Sequence, residues 1–166
     1  MTRITLTTSA VDDAADVLAL RQSVAQDLTR RYGKGPWSGS GTIKGVLFDM
    51  RRSTVFLARA RNRAVATLSL SARKPWAIDR KYFAESKRPL YLTSMAVCPE
   101  LQRNGIGRLC IVEARIAAQR WPSDAIRLDA FDADAGAGDF YRKCGFTEVG
   151  RASYRGTPLI YFELFV

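Results

Sequence analysis

Residues 95–108 read Met-Ala-Val-Cys-Pro-Glu-Leu-Gln-Arg-Asn-Gly-Ile-Gly-Arg, and they join three kinds of local structure. The apolar run that ends at Val97 predicts a strand, and Pro99 ends it because proline has no amide hydrogen to donate to a sheet. Two glycines then precede the periodic apolar residues of a helix, which we expect to run over residues 105–120 until a Trp-Pro pair ends it. The stretch therefore predicts a strand, a turn and a helix whose N-terminus follows directly from the turn.

The start of this helix is predicted to bind an anion. The first amide groups of a helix have no carbonyl partners, and the helix dipole adds partial positive charge to them. Gly105 and Gly107 carry no side chains that would keep a phosphate from those amides, while Arg103 and Arg108 add full charges nearby. A lone pair of glycines is also compatible with an ordinary helix start. The complete run from Gln102 to Gly107, placed directly after strand and proline, favours the anion site.

On either side of this unit, hydrophobic periodicity predicts further strands and helices. Apolar residues recur every three or four positions in the predicted helices and alternate with polar ones in the predicted strands. The predicted strands are residues 3–8, 55–60, 64–71, 90–97, 125–131, 146–149 and 159–165, and the predicted helices run from a capping box at Ser9 and Asp12 to residue 32, then over 42–50, 105–120 and 136–143. The strand–helix–strand step from residue 90 to residue 131 requires a parallel pair. The order predicts a mixed α/β fold in a single domain over residues 1–166.

The composition excludes several kinds of catalysis. The chain of 166 residues has no histidine, which excludes Ser-His-Asp and Cys-His systems and every zinc site with a histidine ligand. Its cysteines, Cys98, Cys110 and Cys144, form no C-x-x-C pair, so we expect reduced thiols and a cytoplasmic location. We expect neither a membrane span nor a signal peptide. Catalysis must therefore use carboxylates, tyrosine, backbone dipoles and basic residues.

The charge of the chain favours an anionic partner. The sequence has 26 lysines and arginines against 16 aspartates and glutamates, a formal net charge of +10. Such an excess is typical of proteins that bind phosphorylated cofactors or nucleic acid, and a solvated basic surface has the same composition. The arginines are scattered, with no basic stripe that contains interleaved aromatic residues. The pattern favours a phosphorylated small molecule over a nucleic acid.

A second motif follows near the C-terminus. Asp139-Phe-Tyr-Arg-Lys-Cys-Gly-Phe146 resembles the F-Y-x-K-x-G-F block of the GNAT superfamily of N-acetyltransferases. The run from Gln102 to Gly107 resembles the acyl-CoA pyrophosphate signature of the same superfamily, Q/R-x-x-G-x-G/A. The separation of the motifs and the order of elements also fit, so the resemblance covers nearly the whole chain. It implies a mixed central sheet splayed between its fourth and fifth strands, helices on both faces, and acetyl-CoA in the gap.

The resemblance also implies a role for each residue that matches a family motif. The backbone of the fourth strand would bind the pantetheine arm, and the helix N-terminus would bind the pyrophosphate. Tyr141 would be the general acid that protonates the departing thiolate, although a packed aromatic is its alternative role. The strand residues are Met95, Ala96 and Val97, and the pyrophosphate residues are Gln102, Arg103, Asn104, Gly105, Ile106, Gly107 and Arg108. Asp134 departs from the family pattern, which often has asparagine there, and its charge would either disturb the cofactor contacts or bind the substrate amine.

The acceptor site is predicted from the segments that vary within the family. Aromatic residues beside acids suit a cationic amine, and loop anchoring explains the same aromatics equally well. The candidate substrate-binding residues are Trp37, Trp76, Asp79, Tyr82 and Asp129. The general base is left open among Asp129, Asp79, Glu85 and a water chain, because the fourth strand has no glutamate where the family often has one. A cysteine nucleophile is disfavoured because no histidine is present to activate it.

The resemblance implies an acetyl-CoA-dependent N-acetyltransferase that transfers an acetyl group to a primary amine of a small molecule by direct attack in a ternary complex. Two alternatives are left open, namely acetylation of a protein N-terminus or lysine, and a non-catalytic acyl-CoA-binding regulatory module. The expected partners are acetyl-CoA or coenzyme A and the amine. No metal, membrane or nucleic acid is expected, and a homodimer is compatible with the sequence.

Overall fold

The computed structural model describes residues 3–39 and 41–166, and its strands and helices follow one another in the predicted order. The strands are β1 (Ile4–Thr8), β2 (Thr54–Ala60), β3 (Arg63–Ser71), β4 (Pro89–Val97), β5 (Ala125–Phe131), β6 (Thr147–Tyr154) and β7 (Thr157–Phe165). The helices are α1 (Ala14–Tyr32), α2 (Ile43–Arg52), α3 (Ile106–Arg120) and α4 (Gly138–Lys143). The predicted α/β class with a mixed sheet and a parallel β4–β5 pair is confirmed. No helix of these two described ranges is long and apolar enough to cross a membrane.

The chain divides into two compact units. Unit 1 comprises residues 1–71 and 93–113, and unit 2 comprises residues 72–92 and 114–166. β4 and α3 each contribute residues to both units, because the division falls inside these two elements. A single domain over residues 1–166 stays a prediction.

Unit 1 is an antiparallel meander covered by two helices. β1 pairs with β2, and β2 pairs with β3, both antiparallel, while the amide of Cys98 just beyond β4 donates to the carbonyl of Val65 in β3 at 2.8 Å. The core lies between the strands and the helices α1 and α2, and its buried residues are Ala14, Val17, Leu20, Val46, Val55, Leu57 and Cys98. These apolar positions of α1 recur at the spacing that predicted the helix.

The start of α1 differs from its prediction. The amide of Ala10 donates to the carboxylate of Asp13 at 2.8 Å, so the helical turn is closed by Asp13 rather than by Asp12. The hydroxyl of Ser9 is buried and has no hydrogen-bond partner among the described residues. The predicted capping box of Ser9 and Asp12 is therefore wrong, because the chain enters the turn one residue later than the motif suggests.

Unit 2 is a mixed sheet in the order β4-β5-β7-β6. The parallel register of β4 and β5 runs from Pro89↔Ala125 to Tyr91↔Arg127, which is three residues of each strand. β5 and β6 both pair antiparallel with β7. β6 ends at Tyr154 rather than at the predicted residue 149, because its register shifts between Glu148 and Gly150 and the shift interrupts the alternation of apolar and polar residues.

A buried ion pair attaches the irregular segment before β4, residues 72–88, to the sheet of unit 2. Arg127 of β5 and Glu163 of β7 lie opposite each other, with Nε and Oε2 2.7 Å apart and side chains only 5% and 2% exposed. The guanidinium donates to the carbonyl of Ala84 at 2.5 Å, and the amide of Ala84 donates to Glu163 at 3.3 Å. The ring of Phe83 lies 4.9 Å from the guanidinium carbon. The ion pair therefore holds the segment in place through the backbone amide and carbonyl of Ala84.

The C-terminal end of the same segment is fixed by Asp124. Its carboxylate accepts hydrogen bonds from the hydroxyl of Ser86 at 2.5 Å and from the amides of Lys87 at 2.8 Å and Arg88 at 3.0 Å. These hydrogen bonds hold the pKa of Asp124 below its usual value. The segment before β4 is therefore ordered without being a helix or a strand.

We expect Glu163→Gln to lower the free energy of unfolding by about 3–5 kcal/mol, because the guanidinium of Arg127 stays buried without a counter-charge. Urea denaturation followed by circular dichroism measures the change. Asp139→Asn is the matched control, since Asp139 pairs with Arg142 on the surface and its side chain is 90% exposed. The control should unfold at nearly the wild-type urea concentration. A loss below about 1 kcal/mol for Glu163→Gln would show that the ion pair does not hold the unit together.

Candidate active site

The loop between β4 and α3 in unit 1 has the backbone shape that its glycines predicted. Arg103 and Gly105 have φ angles of 64° and 80°, a region that glycine adopts far more easily than other residues. A β-carbon on Gly105 would meet no atom within 4 Å, so the space beside this residue is open. The amide of Leu109 donates to the carbonyl of Gly105 at 3.0 Å. The amides just before Leu109 therefore come before the first hydrogen bond of the helix. They are oriented to donate to an acceptor outside the helix, such as a phosphate oxygen.

Two polar side chains of this loop are used inside the loop itself. The amide nitrogen of the Gln102 side chain donates to the carbonyl of Val97 at 3.1 Å. The Asn104 side chain donates to the carbonyls of Leu101 and Gln102, both at 3.3 Å. Of the predicted pyrophosphate residues, Gln102 and Asn104 thus shape the loop with their side chains. The backbone amide of Gln102 also belongs to the loop, since it donates to the carbonyl of Pro99 at 3.3 Å. Arg103 is exposed.

The remaining residues of the predicted pyrophosphate set have different degrees of exposure. Ile106 is buried and anchors the first turn of α3, Gly107 is half-buried, and Arg108 is exposed. Exposed guanidinium groups, unpaired helical amides and an open glycine position are the features by which proteins bind phosphate groups. The residues present in unit 1 therefore fit the pyrophosphate of a coenzyme A molecule.

The end of β4 that enters this loop is irregular. Ser94 has a φ angle of 52° inside the strand, which is uncommon for a residue with a side chain and changes the direction of the peptide groups that follow. Met95, Ala96 and Val97, the predicted pantetheine residues, come directly after it. Met95 and Val97 are half-buried and Ala96 is buried. The carbonyl of Val97 already accepts the Gln102 side chain, so a ligand would share that oxygen.

Tyr141, the predicted acid, lies in unit 2 on α4. Its side chain is buried among the rings of Phe140, Phe146 and Phe162, whose centroids are 5.2, 5.6 and 6.0 Å from its own. Burial raises the pKa of its phenol well above the ordinary value, and the negative charge of Asp129 raises the same pKa further. Tyr141 is therefore both a packed aromatic and a phenol that keeps its proton over the whole neutral range.

Asp129 lies on β5, directly opposite Tyr161 of β7. Burial raises the pKa of its carboxyl, and a hydrogen bond from its own backbone opposes that rise. Its side chain forms no ion pair within the described parts of the chain. The charge of Asp129 contributes to the raised pKa of Tyr161 as well as to that of Tyr141, although burial is the largest cause for both tyrosines. Asp129 is thus a largely buried carboxylate whose charge raises the pKa of two tyrosines, and no lysine or arginine of the described residues pairs with it.

A cavity of about 630 Å³ opens in unit 2 beside these strands. Its walls are residues 74 and 76–82 of the segment before β4, residues 152–154 of β6, and Tyr161. Three of the predicted acceptor residues, Trp76, Asp79 and Tyr82, line this cavity together. The prediction that they share one site is therefore consistent with their placement.

Trp37 has a different environment. It lies in unit 1, where its indole nitrogen donates to the carbonyl of Gly33 at 3.2 Å and its ring covers Gly35 so closely that a β-carbon there would lie 2.4 Å from it. The observed contacts of Trp37 are those of a residue that anchors its own loop. A role in binding the acceptor stays a prediction.

Of the candidate bases, Asp79 has the most hydrogen bonds. Its carboxylate accepts from the amide of Lys81 at 3.1 Å and lies 3.3 Å from the ammonium of Lys81. These contacts lower the pKa of Asp79, which makes it a weaker base. Glu85 is exposed. Asp129 is therefore the strongest candidate, because its pKa moves in the direction that a base at neutral pH requires.

Sequence reasoning missed two residues of this cavity. Lys74 donates from its ammonium to the carbonyls of Pro75 at 2.9 Å and Ile78 at 2.6 Å. The hydroxyl of Tyr161 donates to the carbonyl of Ala77. Tyr161 alternates with Leu159 and Glu163 along β7, so the strand pattern predicts that they share a face. The position of Lys74 depends on the fold of residues 74–82, which no local pattern indicates.

The cysteines have the properties of structural thiols. All three are free, and Cys98 and Cys110 are buried. Burial raises the pKa of Cys110 to about 11 and also raises that of Cys98. The described residues contain no group of three or more cysteine, aspartate or glutamate side chains that could hold a metal ion.

Comparison with known proteins identifies the family. The model of the acetyltransferase (GNAT) family matches residues 21–146. The PaiA N-acetyltransferase of Thermoplasma acidophilum, solved with coenzyme A, superposes with a TM-score of 0.73 at 13% identity over 96% of this chain and 98% of that one. A ribosomal-protein-alanine N-acetyltransferase from Brucella melitensis gives 0.73 at 16% identity over 98% and 99%. YncA of Salmonella typhimurium, a putative acetyltransferase solved with acetyl-CoA, gives 0.71 at 13% identity over 98% and 93%.

The two kinds of comparison support different statements. No curated protein matches the sequence. At these low identities the solved structures show the fold alone, and that fold is shared over nearly the full length of each chain. The family match covers well over half of the sequence and includes both motifs that carried the resemblance. The chain therefore belongs to the GNAT family of acetyltransferases.

Proposed function

We propose that the protein is an acetyl-CoA-dependent N-acetyltransferase that acetylates a primary amine of a small molecule by direct attack in a ternary complex. The loop between β4 and α3 carries this proposal, because it combines the positive φ of Gly105, the open space beside that residue and amides that precede the helical ladder. These are the features that bind a pyrophosphate at a helix N-terminus. Two structural neighbours were solved with coenzyme A or acetyl-CoA.

In this proposal unit 1 binds the cofactor. The amides of residues 103–108 and the side chains of Arg103 and Arg108 would hold the pyrophosphate, in a loop shaped by Gln102, and the backbone of residues 95–97 would hold the pantetheine arm. Acetyl-CoA supplies an acetyl thioester, so that transfer makes a C–N bond to the amine, breaks the C–S bond and releases a thiolate. The protein must therefore remove a proton from the amine and return one to the thiolate.

Tyr141 is the proposed source of the proton for the thiolate. A thiol has an ordinary pKa of about 8.5, and the pKa of the Tyr141 phenol is raised above its ordinary value of about 10, so the phenol is fully protonated at pH 7. The coenzyme A thiol has a lower pKa than the phenol, so the general acid acts chiefly while negative charge develops on sulfur. The aromatic cluster around Tyr141 fixes the ring and thereby the direction of its hydroxyl.

Asp129 is the proposed base that accepts the proton of the substrate ammonium. Its carboxyl is partly desolvated and no cation neutralises it within the described residues, so that it both attracts an ammonium group and is more basic than an exposed aspartate. Burial also raises the pKa values of the two buried cysteines, which leaves little thiolate at neutral pH and favours direct transfer over an acyl-enzyme. The cavity of about 630 Å³ is in the size range of sites for small molecules.

Charge reversal at the loop is expected to weaken cofactor binding. Isothermal titration calorimetry of the variants Arg103→Glu and Arg108→Glu should give an acetyl-CoA affinity at least tenfold below that of the wild type, because each carboxylate would repel the pyrophosphate. Binding of S-acetyl-pantetheine, which lacks the pyrophosphate, should not change. Arg61→Glu makes the same change of charge in the β2–β3 turn and is the control. Equal weakening by all three substitutions would show a general effect of net charge and no pyrophosphate site.

Tyr141→Phe is expected to lower kcat by about 10²- to 10⁴-fold while the affinity for acetyl-CoA stays at the wild-type value. The substitution removes one hydroxyl and leaves the packed ring in place. Tyr32→Phe, at the exposed C-terminal end of α1 in unit 1, is the control and should keep its kcat. A regulatory module that only binds the cofactor has no turnover in either variant. Full activity of Tyr141→Phe would assign the residue to packing alone.

Asp129→Asn is expected to lower acetyl transfer while it raises the stability of the fold at pH 7. Because the folded-state pKa of Asp129 is raised, its protonated form stabilises the fold below the ordinary pKa of 3.8, and that stabilisation is lost as the pH rises through the folded pKa. The variant should therefore be more stable than the wild type at pH 7, with the difference disappearing below about pH 4. Thermal unfolding across this pH range measures it, and acetyl transfer should fall sharply. A variant that is both less stable and inactive at pH 7 would indicate a structural role only.

A further inference from the structure

We propose that the cavity of unit 2 recognises a carboxylate group of the acceptor through Lys74, so that the substrate class is a chain with a carboxylate at one end and the acetylated amine at the other, such as an ω-amino acid. This inference rests on the proposed function, because it names the acceptor of the same reaction. Three observations support it: the placement of Lys74, the charges of the cavity wall, and the strand pair that forms the floor of the cavity.

Lys74 is a half-buried ammonium that lines the cavity and has incomplete hydrogen bonding. It donates to the carbonyls of Pro75 and Ile78 at 2.9 and 2.6 Å, and an ammonium group has three donors. Within the described residues no carboxylate lies within 4.0 Å of it. The two carbonyls fix the position of the charge, and the carboxylate of Asp79 interacts with it only beyond ion-pair distance. A bound anion would supply the third acceptor and a counter-charge in direct contact.

The other charges of the cavity wall favour a single negative charge on the ligand. Asp79 and Lys81 form an ion pair with each other, so their charges largely cancel. Lys74 and Arg80 then leave the wall positive. A phosphate monoester would bring nearly two negative charges and three acceptor oxygens close to the carboxylate of Asp79. One unused donor on Lys74 and a nearby carboxylate suit a carboxylate better than a phosphate.

The floor of the cavity links Lys74 to the proposed base. Tyr161 lines the cavity, and its hydroxyl is held by the carbonyl of Ala77 on the same wall as Lys74. Asp129 lies opposite Tyr161 in the register of β5 and β7, so that both side chains are on one face of the sheet. A ligand that extends across the cavity from Lys74 to Tyr161 therefore ends beside the strand position of Asp129. A carboxylate at one end of the acceptor and an amine at the other match these two charges.

The aromatic walls suit an apolar chain between the two charged ends. The ring of Tyr82 packs against that of Tyr161 with centroids 5.2 Å apart, and Trp76 is 90% exposed at the rim. In the sequence, aromatics beside acids such as Asp79 suit a cationic amine, and loop anchoring explains them equally well. Asp79 is already bonded to Lys81, and a polyamine would place additional positive charge against Lys74 and Arg80. This pairing favours a carboxylate over a second ammonium group in the part of the acceptor that lies in the cavity.

Matched pairs of acceptors test the inference. The common α-amino acids and straight-chain ω-amino acids are each compared with the corresponding primary amide, in the presence of acetyl-CoA and with release of thiol as the readout. Rates are expressed per unprotonated amine, since amidation lowers the pKa of an α-amine. We expect the kcat/KM of the best carboxylates to exceed that of their amides by tenfold or more.

Lys74→Met should raise the KM for the carboxylates about tenfold or more and leave the kcat/KM of the amides unchanged. Lys87→Met removes an exposed lysine of the same unit outside the cavity and is the control. Equal losses for carboxylates and amides in Lys74→Met would show that Lys74 only holds the loop of residues 75–78, and would overturn the proposal. Equal rates for carboxylates and amides in the wild type would overturn it as well.

A second measurement does not depend on turnover. In ¹H–¹⁵N spectra of the full chain, the amides of Ser153 and Tyr154 on the cavity wall should shift on addition of the preferred amino acid, and these shifts should be absent for its amide and in Lys74→Met. An amino acid series that is neither acetylated nor able to shift these amides would overturn the inference. Calorimetry with acetyl-CoA distinguishes failure of the proposed function from failure of this inference. If the protein does not bind acetyl-CoA, the proposed function is wrong. If it binds acetyl-CoA and shows no preference for carboxylates, this inference alone is wrong.

Discussion

The ion pair between Arg127 and Glu163 is the interaction on which the rest of unit 2 depends. Burial of two charges is costly, and the cost is offset by the contact between the two charges and by hydrogen bonds between each of them and Ala84. Those two bonds go to the amide and the carbonyl of Ala84, so the pair fixes a backbone that has no sheet or helix partner of its own. Residues 74–82 form a wall of the cavity on a segment that is attached at Ala84, by Asp124 and by the hydroxyl of Tyr161. The proposed acceptor site thus lies on a segment that side chains hold in place, rather than on a helix or strand.

The sequence predicts local structure well and tertiary pairing poorly, and particular residues show why. The order of the elements follows from periodicity, and the loop before α3 follows from Gly105, whose φ angle few other residues adopt easily. The alternation of β5 and β7 reveals that Arg127 and Glu163 occupy inward positions of strands, but their pairing depends on the register between two strands more than thirty residues apart along the chain. The position of Lys74 in the cavity wall likewise depends on tertiary placement, whereas the contact between Asp79 and Lys81 is local to one turn.

Burial adjusts the candidate acid and the candidate base of unit 2 in the same direction. It raises the pKa values of both Asp129 and Tyr141, and the charge of Asp129 adds to the rise at Tyr141. A raised pKa makes a carboxylate a better base and keeps a phenol protonated, so the burial of each group suits its proposed proton transfer. The arrangement also has a cost, because a desolvated carboxylate without a cation destabilises the fold at neutral pH. A purely structural position would more simply hold an asparagine or an apolar residue, which favours a functional role for the charge of Asp129.

The net charge of +10 indicates where an anion binds only when the surroundings of the individual lysines and arginines are known. Arg59 is neutralised by two carboxylates at 2.8 and 2.7 Å, and the guanidinium of Arg127 is neutralised by Glu163. Arg103 is exposed on the loop before α3, and Lys74 lines the cavity of unit 2 without a carboxylate partner in the described ranges. Composition predicts an anionic partner and cannot distinguish one anion site from two. The two proposals assign two sites, of which the first suits the doubly charged pyrophosphate of a cofactor and the second suits a singly charged group on the molecule that receives the acetyl group.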